Sequence, residues 1–405
     1  MKTRSPLLPI FLIVVVDVLG LTIILPLLPF YAESFGASPR TVGLLVSSFA
    51  VCQLVSGPLL GRLSDRTGRK PLLLVSQVGT LFGFLLIARA TSLWMVFAGR
   101  VIDGLTAGNL SLAQAYISDA TEPKNRARAF GLIGAAFGIG FLFGPALSGY
   151  TSQWGYHVPL YIAAALSATS ILATATLLPA RPPTPPGAAA ADEPPPPAGR
   201  RLAILDWREY ATYFRRPGLR WLLAEFFLFS LAFALFSSGF ALFAERRFTW
   251  DGRPFGPKQV GYVLAYAGFL GVILQGGLIG RLVKALGERR LVFLGFVAAA
   301  VGFFALGLTW AVWQLLLVAT VQSFGTGVLR PALTSLITQA VSRHEQGTIL
   351  GLNQSLVSVA QIIGPAISGF LIDRALLIPW AFTIGGVCLV ALLVGPLVKP
   401  GAVSK

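Results

Sequence analysis

Long apolar segments recur along the chain, and polar stretches separate each one from the next. A helix needs about 20 mainly apolar residues to cross a bilayer core of roughly 30 Å. Segments long enough to do so lie near residues 8–31, 41–60, 71–90, 93–118, 127–149, 158–178, 219–243, 259–280, 290–309, 311–338, 347–371 and 376–397. Because the backbone finds no water in lipid, each segment must satisfy its own hydrogen bonds as a helix. The sequence therefore predicts an all-α integral membrane protein with twelve transmembrane helices.

The amino-acid composition supports this prediction and limits the class of partner. Hydrophobic residues make up 55% of the 405 residues and charged residues only 12%, whereas soluble domains are about 25% charged. A net charge of +16 would suggest nucleic-acid binding in a soluble protein, but most basic residues lie in loops beside apolar segments. We therefore expect a lipid bilayer as partner and no nucleic acid. Cys52 and Cys388 each lie within an apolar segment, which predicts neither a disulfide framework nor a metal site.

The distribution of basic residues predicts the orientation in the membrane. An even number of spans places both termini on one side. Of the 32 Lys and Arg residues, 23 fall on that side, seven fall on the opposite side, and Arg100 and Arg330 lie inside spans. Cytoplasmic loops carry the excess of positive charge. We predict a multi-pass protein of the cell (inner or plasma) membrane with both termini in the cytoplasm.

A proline-rich stretch divides the chain into two halves. Proline at the density of residues 179–217 favours an extended, solvated linker. We predict an amino-terminal six-helix bundle over residues 1–178, a cytoplasmic linker over 179–217 and a carboxy-terminal six-helix bundle over 218–405. Residues 204–214 are amphipathic enough to lie on the membrane surface, although an ordinary linker is the simpler interpretation.

The two halves share internal repeats. The Gly-Arg-Leu of residues 61–63, with Gly68 after it, recurs 219 residues later as residues 280–282 and Gly287. The Gly-Pro-Ala-Leu-Ser-Gly of residues 144–149 recurs as Gly-Pro-Ala-Ile-Ser-Gly 220 residues later. Two matches at nearly one offset predict a parallel repeat, with both six-helix bundles oriented alike and related by pseudo-symmetry.

The loop between the second and third spans is a tight basic turn with the sequence Gly-Arg-Leu-Ser-Asp-Arg-Thr-Gly-Arg-Lys-Pro. Gly61 and Gly68 permit a close approach and a sharp turn, while basic residues such as Arg66 and Arg69 favour the cytoplasmic side. The loop resembles the signature Gly-x-Leu-x-Asp-Arg-x-Gly-Arg-Lys of the major facilitator superfamily, and every fixed position of that pattern is filled.

This resemblance implies a latch on the cytoplasmic side. Asp65 would meet the amino-terminal end of span eleven near Gly347, where a carboxylate gains from the helix dipole. Arg69 would pair with Asp119 at the end of span four. The alternative is a topological anchor that never switches.

Span five carries small residues at nearly every fourth position, Gly134, Gly138, Gly140, Gly144, Pro145 and Gly149. Such residues make a flat face for close helix contact, and the proline removes one backbone hydrogen bond. The run resembles the motif that marks antiporters within the superfamily, which implies exchange with protons. A generic packing face explains the glycines equally well.

Ionisable residues within apolar spans predict functional sites, since each costs about 2.5–3.5 kcal/mol at the membrane centre. Asp17 lies about ten residues into span one, roughly 15 Å deep. Burial there disfavours the charged form and suits the carboxyl to bind and release a proton. The surrounding residues 17–29 resemble the first span of the tetracycline efflux antiporters. The alternative is a carboxylate that only accepts hydrogen bonds between helices.

Two further spans contain charged residues. Arg100 and Asp103 in span four are three residues apart on one helix face and can neutralise each other. Arg100 matches the arginine of the superfamily's span-four motif, which implies that it tunes proton uptake, whereas Asp103 departs from that motif and would merely compensate Arg100. Glu225 in span seven would line the inner vestibule, with a coupling or substrate role, or extend outward to water.

Polar and aromatic side chains within the spans are candidates for a central substrate cavity, although helix packing explains each of them as well. They are Gln53, Asn109, Gln114, Phe226, Phe233, Phe236, Gln275, Gln322, Asn353 and Gln354.

Short stretches of the second half, residues 245–250, 286–290 and 345–347, also resemble the tetracycline-resistance family. The resemblance covers the chain except the linker, and it implies a proton-driven exporter of lipophilic drugs that works by alternating access. Some tetracycline antiporters have a histidine in span eight, which this chain lacks. We expect no cofactor beyond the proton gradient, a substrate that can arrive as a divalent-metal chelate, and a monomer.

Other function classes agree less well with the sequence. Proton-coupled import or uniport of a small metabolite is the alternative, but importers tend to have more cavity charges and lack the span-five motif. An intramembrane enzyme would need a motif such as HExxH or GxSxG, and neither occurs here. A receptor would need a sizeable soluble domain.

Overall fold

The computed structural model describes residues 7–121, 126–179, 207–342 and 345–395, and most of the predicted linker lies outside them. The helices are α1 (Leu7–Glu33), α2 (Pro39–Thr67), α3 (Arg69–Ala88), α4 (Leu93–Leu105), α5 (Asn109–Ala120), α6 (Arg126–Thr151), α7 (His157–Leu177), α8 (Trp207–Arg215), α9 (Pro217–Arg247), α10 (Pro257–Ile273), α11 (Ile279–Leu286), α12 (Glu288–Gly307), α13 (Val312–Gln339), α14 (Gln346–Asp373) and α15 (Leu377–Val394). Two antiparallel strands, β1 (Thr249–Trp250) and β2 (Arg253–Pro254), join α9 to α10.

The predicted all-α membrane fold is confirmed, with one correction to the spans. Among the described residues, 11 helical stretches are long and apolar enough to cross a membrane. The remaining predicted span, residues 93–118, is not one continuous helix but α4 and α5, which are separated at residues 106–108. Span eight also departs from a regular α-helix, because a π-helical turn over Leu274–Leu278 joins α10 to α11.

The break in span four has a local cause. The Ser76 hydroxyl on α3 donates to the carbonyl of Thr106 and accepts a hydrogen bond of 2.9 Å from the amide of Gly108. These bonds satisfy backbone groups that would otherwise need partners within a helix. The prediction of a single helix was wrong because apolar length does not show where a neighbouring hydroxyl replaces a helical hydrogen bond.

The helices run between two faces of the molecule. We call one the Glu33 face, where α1, α6, α9 and α14 end, and the other the Asp65 face, where α2 ends and α14 begins. The amino-terminal bundle comprises α1 to α7 and the carboxy-terminal bundle α9 to α15. On the positive-inside prediction the Asp65 face is the cytoplasmic one.

The two bundles contact each other closely toward the Glu33 face. A Cβ on Gly43 of α2 would lie 3.3 Å from the Cα of Gly369 on α14, and one on Gly261 of α10 would lie 3.0 Å from the Cα of Gly149 on α6. The Ser47 hydroxyl adds a hydrogen bond of 2.8 Å to the carbonyl of Ile362. Positions 43 and 261, like 149 and 369, are related by the internal repeat. The two contacts between bundles are thus pseudo-symmetric copies.

Toward the Asp65 face the same helices separate. Gly61 is five helical turns from Gly43 on the same face of α2, and Gly351 is five turns from Gly369 on α14. A Cβ on Gly61 or on Gly351 would have no atom of the described residues within 4 Å, and the same holds for Gly276 beside α10. The gap between the bundles therefore opens toward the Asp65 face.

The amphipathic segment near the end of the linker is a helix, α8, rather than an ordinary linker. Arg216, which follows it, forms an ion pair of 2.5 Å with Glu345, next to the start of α14. The hydrogen bonds from Arg216 lower the pKa of Glu345 to about 2. This pair therefore connects α8 to the Asp65 end of α14, and it stays charged at neutral pH.

Candidate functional site

Asp17 lies on α1 and faces two polar side chains from neighbouring helices. Its partly buried carboxyl interacts with Ser170 on α7 and Gln77 on α3. The amide nitrogen of Gln77 donates to the Ser170 hydroxyl at 2.8 Å, while Oε1 of Gln77 is buried and has no hydrogen-bond partner among the described residues. A protonated Asp17 could donate to that oxygen, whereas an ionised one could only accept. The group around Asp17 therefore holds polar atoms suited to both protonation states.

The glycines of span five, which is α6, contact two neighbouring helices, α1 and α10. A Cβ on Gly140 would lie 2.5 Å from Val18, and one on Gly144 would lie 2.7 Å from Cβ of Thr22, so these two glycines allow α6 to pack against α1 beside Asp17. Thr22 also donates a hydrogen bond of 2.8 Å to the Gly140 carbonyl.

The opposite side of α6 packs on α10 in the carboxy-terminal bundle. A Cβ on Gly138 would lie 3.3 Å from Val272, one on Gly149 would lie 2.8 Å from the Pro257 carbonyl, and the Pro145 carbonyl abuts Gly261. Helix α6 thus lies between the Asp17 region and the contact between the bundles.

Arg100 and Asp103 form an ion pair of 2.9 Å on α4, and both side chains are buried. The guanidinium also lies 4.1 Å from the centre of the Phe49 ring on α2. The local neutralisation expected from the spacing is present, and Asp103 compensates Arg100. A role of either residue in proton uptake stays a prediction.

Glu225 does not line the gap between the bundles. Its side chain is 2% exposed and pairs at 2.7 Å with Arg289 on α12. Arg289 also donates to the carbonyl of Gly395 after α15. Because this pair joins three helices of one bundle, the interpretation of Glu225 as a vestibule residue fails for this conformation.

The predicted latch loop has one of its two implied contacts. The Arg69 guanidinium lies 2.9 Å from Asp119 and 2.5 Å from Asp65. The Asp65 side chain remains 59% exposed, while Gly68 has a φ of 97° that favours glycine. The pair of Arg69 with Asp119 is therefore observed. Among the residues that the structure describes, Asp65 pairs with Arg69 of its own loop, in place of the implied contact with span eleven near Gly347.

The other basic residues of the latch loop have separate roles. Arg66 is exposed at the Asp65 face. The Lys70 amine donates hydrogen bonds of 2.7 Å to the carbonyls of Ala175 and Leu178 at the end of α7, a contact that the loop motif does not predict. The loop is thus anchored to α7 in addition to α5.

The second copy of the loop lacks the carboxylate and the arginine that form the Asp65–Arg69 pair in the first copy. Glu288 stands at the position of Arg69 and accepts hydrogen bonds of 2.6 Å from Ser335 and 2.9 Å from Gln339. Gly287 keeps the left-handed backbone, with a φ of 75°. The repeat therefore preserves the turn and replaces an ion pair with bonds to neutral groups.

The predicted cavity residues differ in how deeply they are buried. Gln53, Asn109, Gln114, Phe233, Phe236 and Gln354 are partly buried, and Gln275 is exposed on the π-helical turn. Phe226, Gln322 and Asn353 are buried. Gln322 packs against Gly302 of α12, and the Phe226 ring lies 6.5 Å from that of Phe229 on the same helix. Within the described ranges, neither the Nδ2 nor the Oδ1 atom of Asn353 has a hydrogen-bond partner.

Ionic contacts on the Glu33 face close the gap at that end, and sequence reasoning missed them. Arg246 at the end of α9 pairs with Glu33 at 2.6 Å and with Glu245 at 3.0 Å. Lys258 donates a hydrogen bond of 3.0 Å to Gln153. These residues lie in loops and helix ends, where an isolated sequence gives no sign that distant charges meet.

Comparison with known proteins identifies the fold family. A family model described as Major Facilitator Superfamily matches residues 10–284 and 257–403. The chain belongs to the major facilitator superfamily. As a member, it is a transporter of a membrane-spanning family rather than an enzyme.

Several known facilitators are similar to this one over nearly its full length. The class E tetracycline resistance protein of Escherichia coli is 32% identical to this chain, and the matched region spans 96% of this chain and 94% of that protein. Multidrug resistance protein 2 of Bacillus subtilis is 27% identical over 90% of this chain and 88% of its own length. Among solved structures, the human organic anion transporter MFSD10 superposes with a TM-score of 0.73, at 24% identity, over 98% of this chain and 100% of that one.

Proposed function

We propose that this facilitator exports small lipophilic drugs, tetracycline-like or of several classes, across the inner or plasma membrane in exchange for protons. The setting of Asp17 carries the proposal, because a carboxyl at membrane depth has polar partners on two other helices and, beside it, an acceptor that no group in the described part of the chain bonds. The similar tetracycline and multidrug resistance proteins support drugs as the class of substrate, and export is the direction of transport by which a facilitator would confer resistance.

The arrangement of the bundles supports alternating access as the mechanism. The gap is closed at the Glu33 face by Gly43, Gly149 and the Arg246 pair, and it is open at the Asp65 face. A substrate enters from the Asp65 face in this conformation. Protonation of Asp17 after the gap opens to the other side then drives the return. We propose a monomer that needs no cofactor beyond the proton gradient and that accepts a substrate as its divalent-metal chelate.

The proposal predicts that Asp17→Asn loses proton coupling. In inverted vesicles that contain the wild-type protein, an acidic interior should drive accumulation of tetracycline, and substrate addition should release protons. The amide side chain introduced by the substitution cannot ionise, so the variant should neither accumulate tetracycline nor release protons. Transport by the variant with an unchanged pH dependence would show that the proton site lies elsewhere.

The matched control is Asp251→Asn. Asp251 lies in the turn between β1 and β2 with a φ of 51°, and asparagine tolerates that backbone. This variant removes one carboxylate at the surface and should transport like the wild type. Vesicles of the opposite orientation distinguish the alternative function, because an importer of a small metabolite would accumulate its substrate there and not in inverted vesicles.

A further inference from the structure

Arg330 is a charged side chain at membrane depth for which the proposed mechanism gives no role. It lies on α13, nine residues before Gln339 at the Asp65 face, or about 14 Å from that end. Its side chain is exposed. The guanidinium carbon lies 5.6 Å from the centre of the Phe137 ring, which belongs to α6 in the other bundle. Arg330 therefore points across the gap between the bundles.

No carboxylate among the described residues neutralises Arg330. The ion pairs of the described part of the chain involve other cations. Three carboxyls of the described helices lie at membrane depth, and each is engaged elsewhere: Asp103 with Arg100, Glu225 with Arg289, and Asp17 with Gln77 and Ser170. The gap thus contains one fixed cation for which the described residues supply no fixed anion.

A row of aromatic rings begins beside this cation and crosses between the bundles. Phe137 stacks on Phe141 with 6.4 Å between centroids, Phe141 meets Phe233 of α9 edge to face at 6.4 Å, and Phe233 stacks on Phe229 at 6.4 Å. Flat apolar rings favour a planar hydrophobic body, and the guanidinium favours a carboxylate or an enolate.

We propose that Arg330 and this aromatic row form a subsite for the anionic group of a planar aromatic substrate. The subsite rests on the proposed export function and specifies its substrate class as aromatic acids. The guanidinium binds the anion through two parallel N–H bonds, and the rings of Phe137 and Phe141 pack on the planar body. A phosphate headgroup of an anionic lipid has the same charge, so the test includes both sources.

The test measures binding to the full chain in nanodiscs of phosphatidylcholine, by equilibrium dialysis at neutral pH without a gradient. The probes are naphthoic acid, which is ionised, and naphthamide, its uncharged analogue of the same shape. Wild type should bind the acid roughly tenfold more tightly than the amide. Arg330→Gln should bind the two probes equally, and Arg330→Lys should keep part of the preference.

The control is Arg89→Gln, which removes an exposed cation at the Glu33 face and should keep the full preference. Equal binding of the acid and the amide by wild type, a result that needs no variant to fold, would overturn the subsite. So would an undiminished preference in Arg330→Gln.

Nanodiscs of phosphatidylglycerol distinguish the two sources of the anion. A preference that persists there supports a substrate subsite, while its loss identifies the lipid headgroup as the occupant and overturns the proposal. The binding assay needs no proton gradient. Its result is therefore independent of the Asp17→Asn transport assay, and either proposal can fail while the other holds.

Discussion

At the scale of residues, the charges at membrane depth have different environments. Arg100 and Glu225 are each neutralised by a fixed partner. Asp17 has neutral partners, and Arg330 faces the gap beside an aromatic ring. A charge with neutral partners, or one that faces an open gap, can bind a proton or a ligand. A buried ion pair resists such a change, because removal of one partner leaves the other as an uncompensated buried charge.

Gly144→Ala should destabilise the protein because the added methyl group would overlap Thr22 on α1. Overpacking of this kind costs about 1–3 kcal/mol. The apparent melting temperature of the purified protein should fall. Gly134→Ala on the same helix is the control, since a Cβ there would have no described atom within 4 Å and alanine favours a helix. Equal melting temperatures for the two variants would contradict the close packing of α6 on α1.

At the scale of elements, hydropathy predicted most spans because the bilayer fixes their length and composition. It could not predict the break at residues 106–108, which depends on the hydroxyl of Ser76 on another helix. The loop motif likewise indicated the turn at Gly68 and the Arg69 pair with Asp119. Gln77 and Ser170 could have been noticed as polar residues within spans three and six, but their meeting with Asp17 depends on how three helices pack.

Valine at two glycines of the gap-lining helices should shift the conformational equilibrium in opposite directions. Gly43→Val on α2 should disfavour the present conformation, because a Cβ there overlaps the Pro365 carbonyl. Gly351→Val on α14 is tolerated here but would obstruct closure at the Asp65 face. Double electron-electron resonance between the bundles should therefore show the Asp65 face more closed in Gly43→Val and more open in Gly351→Val. Shifts in the same direction would contradict the assignment of these glycines to opposite ends of one contact surface.

At the scale of the whole molecule, the contacts between the bundles follow the internal repeat. The pair of Gly43 with Gly369 and the pair of Gly149 with Gly261 are equivalent by pseudo-symmetry, so both must open together when the bundles rotate. The loop copies break that symmetry, because only the first has Asp65 and its Arg69 partner. The repeat was evident from the sequence, but which glycines touch depends on the conformation.

Asp65→Asn should increase the population of the present conformation. The exposed pair of Asp65 with Arg69 contributes only about 0–1 kcal/mol here, while the predicted contact with the start of α14 stabilises the opposite conformation. Spin-label distances across the Asp65 face should lengthen in the variant. Asp251→Asn is the control, and the spin-label distances across the Asp65 face should be unchanged in it. Identical conformational populations in Asp65→Asn and Asp251→Asn would contradict the latch and would indicate that the loop acts only as a topological anchor.

The glycines that line the open gap also bear on inhibition. Gly61 and Gly351 lie five helical turns from Gly43 and Gly369 on the same helix faces, so closure of the Asp65 face would bring them together as Gly43 and Gly369 meet at the closed end. A small rigid molecule lodged between them would act as a wedge and arrest the cycle in one state. Its effect would not depend on which drug is carried, so resistance to several compounds could be reversed by one blocker that never competes for the substrate subsite.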